Sequence, residues 1–120
     1  MADRMLFVGW GASVRGAEER GIEVFNEALG LLGRKQQDGK IEKFDVALLS
    51  PNTDLDGYIS IQGSAAQLAA LREDPEWQRN TIEASLIVDD LRHVDGYINE
   101  GVAGQMTLYQ QVVGGTKQHA

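Results

Sequence analysis

The sequence predicts an α+β domain in which a four-stranded antiparallel sheet carries two helical regions on one face, with a further helical segment at the C-terminus. Three observations carry that expectation. Short apolar runs alternate with longer stretches of helical periodicity in the order strand, helix, strand, strand, helix, strand. A turn cluster, Ser50-Pro51-Asn52-Thr53-Asp54, joins two of the strands at hairpin spacing. Helix start signals stand at Ser64 and again at Asp74-Pro75.

The run Met5-Leu6-Phe7-Val8-Gly9-Trp10, closed by Gly11, is apolar without interruption, as expected of a central strand covered on both faces. Ser13 is placed to cap the next helix, which has Glu18 and Glu19 in its early turns and Arg34 and Lys35 near its end, complementing the helix dipole. Ala17, Val24, Ala28, Leu31 and Lys35 recur at helical spacing, Phe25 and Leu32 widen the stripe, and Asp38-Gly39 stops it. Residues 41–49 alternate, with Phe44, Val46 and Leu48 on one side and Lys43, Asp45 and Ala47 on the other; residues 57–63 alternate strictly. Ser64 and Gln67 have capping-box spacing ahead of Leu68 and Leu71, and Asp74-Pro75-Glu76 restarts a helix that runs through Trp77, Ala84 and Val88. Residues 91–98 form the last strand. Beyond it Val102, Met106, Tyr109 and Val113 keep helical spacing; Leu108-Tyr109 and Val112-Val113 also suit a strand, and the spacing favours helix. Gly114-Gly115 opens a polar tail, so residues 1–113 read as one domain and 114–120 as a flexible tail.

Composition narrows the function classes. The 120 residues include no cysteine, which removes disulfides and thiolate chemistry and suits a reducing cytoplasm. The apolar segment after Met1-Ala2-Asp3-Arg4 is too short for a signal-peptide core or a membrane span, so no membrane association is expected. A formal charge of −7 has the wrong sign for neutralising phosphates, which argues against nucleic acid. Two histidines far apart in the chain do not suggest a metal site, and no cofactor motif is present.

With right-handed crossovers and a hairpin between its middle strands, this order gives the ferredoxin-like βαββαβ arrangement. Alternation turns Ile59 and Ile61 toward the helices and Tyr58, Ser60 and Gln62 away from them. The same reasoning buries Val94 and Ile98 and turns His93, Asp95 and Tyr97 to the open face. Because the first strand is apolar on both sides, that face needs a cover; a second copy of the chain, helped by the C-terminal segment, is the economical one. The element order, the stretch Ile61-Gln62-Gly63-Ser64 into Leu68-Ala69-Ala70-Leu71 and Asp74-Pro75-Glu76-Trp77, and the helical tail resemble the dimeric α+β barrel superfamily, which includes antibiotic-biosynthesis monooxygenases. The resemblance implies the fold and a homodimer. It transfers no functional residue, since no catalytic motif of a named member is matched.

The candidate site is a cleft on the open sheet face formed by His93, Asp95, Tyr97, Tyr58, Ser60 and Gln62, with Trp10 at its rim and the helical tail above. Such a set would bind a small, largely apolar organic molecule. In it His93 would serve as general base for cofactor-free proton transfer or oxygenation, and the phenols and amide would hold a carbonyl or phenol. The competing expectation is a non-enzymatic dimer whose sheets pack dry and leave no cavity or ligand site, with Tyr58 and Tyr97 as interface aromatics. Two further motifs have structural readings. Asn52-Thr53-Asp54-Leu55-Asp56-Gly57 matches the first half of a calcium loop, yet Gly63 stands where the closing glutamate belongs, and the same residues suit a hairpin turn. Gly9-Trp10-Gly11 with Gly16 hints at phosphate cradling but lacks the fingerprint spacing, and fits a strand-to-helix turn.

Overall fold

The computed structural model of the chain describes residues 1–119. Its elements follow the predicted order: β1 (Arg4–Trp10), α1 (Glu18–Gln37), β2 (Lys43–Leu48), β3 (Gly57–Gly63), α2 (Ala65–Glu73), α3 (Pro75–Ser85), β4 (Arg92–Tyr97) and α4 (Glu100–His119). The four strands form one antiparallel sheet in the order β2-β3-β1-β4, which makes the apolar β1 and the strictly alternating β3 the central pair.

The core lies between one sheet face and the helices. Leu6 and Val8 of β1 and Ile59 and Ile61 of β3 pack there with Leu31 and Leu32 of α1, Leu68 and Leu71 of α2, and Trp77 of α3. Local signals set the helix ends. The Ser64 hydroxyl accepts from the Gln67 amide, the Gln67 side chain accepts from the Ser64 amide, and Asp74 caps α3 by accepting from Glu76 and Trp77. The Asp74 carboxyl is held below the usual carboxylate range, first by the hydrogen bond from Lys35 at 2.5 Å and then by the Trp77 amide. That pairing ties the last turn of α1 to the start of α3.

Two expectations are corrected. Ser13 does not cap α1, whose N-cap is Ala17 without a side-chain cap. Instead residues 11–14 pair with 87–89: Gly11 N–H donates to the Asp89 carbonyl, Asp89 N–H to Ala12, and Val14 N–H to Ile87, with Ser13 bridged to Val88. A long-range ladder therefore uses the segment that local pattern assigns to a helix start. It also engages the Gly11 amide, in keeping with the turn reading of the glycine-rich stretch.

The second correction concerns β4. In the register Leu6 faces Asp95, Val8 faces His93 and Arg4 faces Tyr97, so His93, Asp95 and Tyr97 share the helix side with Leu6 and Val8. Val94 is the residue on the open face and is 51 % exposed. Ile98 lies past the strand end, and the apolar anchor of this edge is Leu91, packed against the core. The helical backbone of α4 continues through Gly114-Gly115. Residue 120 lies outside the described residues.

The β2–β3 connection is organised by Asn52. Its side-chain oxygen accepts from the Asp54 and Leu55 amides, and its side-chain nitrogen donates to the Ser50 and Leu55 carbonyls. These bonds are those of an Asx-type turn.

α4 leaves the domain from a fixed root. Ile98 N–H donates to the Asp3 carbonyl, and Asn99, at φ 52°, donates its side-chain amide to the Ala2 carbonyl. Gly101 sits so close that a Cβ there would stand 2.2 Å from the Asp3 oxygen, which only glycine permits. α4 meets the rest of the domain chiefly at β4, and the chain reaches 57 Å along its longest axis. Its radius of gyration is 17.1 Å, against about 13.5 Å for a compact chain of this length.

Candidate functional site

The register divides the predicted constellation between two faces. Tyr58, Ser60 and Gln62 do lie on the open face, cross-strand from Gly9, Phe7 and Met5, and Tyr58 stacks on Phe7 at 5.3 Å. His93, Asp95 and Tyr97 lie on the other side with Trp10, whose ring meets Phe25 edge-on at 5.7 Å. No single cleft holds all seven residues.

What the helix side holds instead is a cavity of about 280 Å³ between the sheet and helices α1 and α3. Val8 and Trp10 form its floor with Ile59, Phe25 and Ala28 line the α1 wall, and Trp77, Asn80 and Ala84 line the α3 wall. His93 closes one end, its ring centroid 5.9 Å from that of Trp77. Both tryptophans of the chain therefore border the same space. Gly57 lets the Trp10 ring lie flat on β3: an added Cβ would come within 2.7 Å of it. The Asn80 side chain donates to the Val24 carbonyl at 3.1 Å, which pins it in the wall. Beside the cavity Arg20 of α1 pairs with Glu23, with Glu27 and, across to α3, with Glu83. Those hydrogen bonds, Glu23 first, hold the guanidinium well above even the usual arginine range.

The missed residues are Phe25, Trp77, Asn80 and Ala84 as cavity walls. Their helical spacing reads as core, and a wall differs from core only in lacking a neighbour on one side. The signal that was available is parity: Leu91 and His93 share it, and burying Leu91 would have turned His93 inward.

His93 is the one titratable group closing the cavity end whose ionisation is displaced. Burial, then the charge of Arg72, push its imidazole below the ordinary value, and Asp95 opposes them weakly. Arg72 Nη1 lies 3.6 Å from the Asp95 carboxylate, and its Nε is buried without a hydrogen-bond partner among the described residues. Tyr97 stacks under Arg4 at 4.4 Å, so Asp95 and Tyr97 belong to an arginine cluster beside the cavity rather than to its lining. A neutral imidazole at the end of an apolar space can accept a proton from a bound molecule.

The displacement has a measurable sign. Because the folded value lies below the unfolded one, the unfolded chain binds more protons here, and stability rises with pH. The contribution is complete above the unfolded value of about 6.5 and is lost as pH falls toward the folded value. Thermal midpoints are expected to decline between neutral and mildly acid pH, and to decline less in His93→Gln. Asp74 does not interfere, since its contribution is lost only at more acid pH. Equal slopes in both proteins would show that His93 titrates freely.

No family model and no curated protein matches the chain. Solved structures do. A dimeric ferredoxin-like protein of unknown function from Jannaschia sp. CCS1 is 16% identical with a TM-score of 0.64, over 79% of this chain and 98% of its own. A hydroxynitrile lyase from Passiflora edulis is 12% identical with a TM-score of 0.61, over 83% and 97%. A Chloroflexus aurantiacus protein assigned to the antibiotic biosynthesis monooxygenases is 13% identical with a TM-score of 0.55, over 80% and 93%. At these identities the likeness is one of fold, and it agrees with the register and strand order above: the chain has a ferredoxin-like fold.

Proposed function

We propose that this chain is a homodimeric cytoplasmic domain that binds a small, largely apolar organic molecule in the cavity between the sheet and helices α1 and α3. The observation that carries the reading is the cavity itself: about 280 Å³, walled by Trp10, Phe25 and Trp77, with the imidazole of His93 at one end. That volume stands at the lower edge of the range of about 300–1,000 Å³ usual for ligand sites, so the molecule is small. His93 is the group placed to take a proton from it without a cofactor. Dimerisation is supported by the dimeric ferredoxin-like neighbour and by the apolar strip Met5, Phe7, Tyr58 and Val94 on the open face. The lack of cysteine fits a reducing compartment, and no described helix is long and apolar enough to cross a membrane.

A dry sheet interface is compatible with this reading, because the cavity and the open face lie on opposite sides of the sheet. Titration with p-cresol and cyclohexanone, followed by tryptophan emission and amide chemical shifts, is expected to give a saturable response centred on residues 77–84 and on His93. Shifts that stay linear in concentration for both compounds would refute the site.

A further inference from the structure

We propose that the molecule bound in the cavity is a small apolar carboxylic acid, its hydrocarbon body in the cavity and its carboxylate against the guanidinium of Arg72. The inference rests on the cavity reading and adds to it the chemical class of the ligand and the residue that selects it. The cavity and a groove beside it share Trp77, Thr81 and His93 as lining, and the groove adds Arg72, Gln78 and Ile82. A molecule spanning the two spaces passes His93, with an apolar chamber on one side and one cation on the other.

Arg72 is not held as a structural arginine is held. Its backbone is fixed in the last turn of α2, where its carbonyl accepts from the Gln78 side chain at 2.9 Å. Its guanidinium donates no hydrogen bond among the described residues, whereas those of Arg20 and Arg34 are tied to glutamates of α3. Its Nε is shut off from water with no acceptor, and the nearest carboxylate, that of Asp95, is 71 % exposed and 3.6 Å from Nη1. A shielded donor left unmet is costly, and an ion pair so long and so wet is weak. The nitrogens at the outer edge of the guanidinium are therefore uncommitted within the chain. Complementing the dipole of α2 accounts for a basic residue in this turn, but not for one set beside an apolar chamber.

The fork of an arginine takes a carboxylate by two parallel hydrogen bonds, which an uncharged ligand cannot match. One cation with Asp95 beside it balances a single negative charge, so a carboxylate fits better than a doubly charged phosphate. Thr81 lines both spaces, and its hydroxyl makes no hydrogen bond among the described residues, so it is free to donate one more. His93 and Asp95 stand two residues apart on β4, about 7 Å. A ring with a carboxylate on a one-carbon arm covers that distance and sets the carbon of the arm beside the imidazole. The charge of Arg72 also helps to keep that imidazole neutral, in the form that accepts a proton.

The test compares phenylacetate with phenylacetamide, which has the same shape and no charge, and uses p-cresol as the reference for the cavity. By calorimetry near neutral pH, phenylacetate is expected to bind about 30-fold more tightly than phenylacetamide and to displace p-cresol. Arg72→Gln is expected to erase that preference. Arg79→Gln, at an exposed position of α3 outside the groove, is expected to keep it. In the unaltered chain the Nε–H resonance of Arg72 should shift with phenylacetate and not with phenylacetamide, a reading that needs no variant to fold. Equal affinities for the acid and the amide, or a preference that survives Arg72→Gln or is lost equally in Arg79→Gln, overturn the carboxylate assignment and, with p-cresol still bound, leave the cavity reading standing. Phenylacetate that binds without displacing p-cresol overturns a ligand spanning the two spaces. Responses that stay linear for all three compounds refute the cavity reading and this inference with it.

Discussion

Trp77→Ala is expected to cost about 3–5 kcal/mol, a large share of the roughly 5–15 kcal/mol that holds a domain of this size together. Trp77 is 3 % exposed and touches the buried cluster on one side and the cavity on the other. It also stands in the first turn of α3, where its amide donates to the Asp74 cap, and its ring supports His93. Removing the indole extends an existing cavity instead of opening a new one, so relaxation recovers little. A fall in the thermal midpoint of about 10–25 °C should follow, since about 1 kcal/mol corresponds to a few degrees in a chain of this length. Trp77→Phe, which keeps a ring against the cluster, should lose markedly less. A shift of a degree or two for the alanine variant would mean that the indole does not bridge core and cavity.

Ala84→Phe should abolish ligand binding while leaving the fold intact. Ala84 lies on the α3 wall, half-buried, and a ring there occupies the space opposite Phe25. Because the site is partly open, the added volume fills a void and does not force the close-packed cluster apart, which is the usual cost of overpacking. Leu86→Phe is the control: Leu86 follows α3 and is 75 % exposed. A weakening of about 100-fold or more in p-cresol affinity, measured by calorimetry, is expected for the first and none for the second. Equal affinities in all three proteins would place the ligand elsewhere.

The features legible in the sequence are those set by near neighbours. The capping box at Ser64 and Gln67, the Asp74-Pro75 start, the Asp38-Gly39 stop and the strict alternation of β3 each depend on residues a few positions apart, and each lies where local chemistry puts it. The misreadings depend on distant partners. Ser13 is taken by Val88. β4 has too few apolar residues to show its own orientation, which is set by Val8 opposite His93 and by Trp77 against that ring. One inverted strand was enough to move the expected site to the wrong side of the sheet. His93 and Trp10 were legible as site residues, but the space between them was not, because a cavity is a property of elements packed together.

The apolar character of β1 on both sides now has a division within it. Leu6, Val8 and Trp10 face the helices and the cavity, while Met5, Phe7 and Gly9 face the open side of the sheet. One strand thus writes two messages in alternate letters. On the proposed reading, changes at its even positions would alter what the cavity accepts and changes at its odd positions would alter whom the chain recognises, so the two traits would be free to diverge by independent steps.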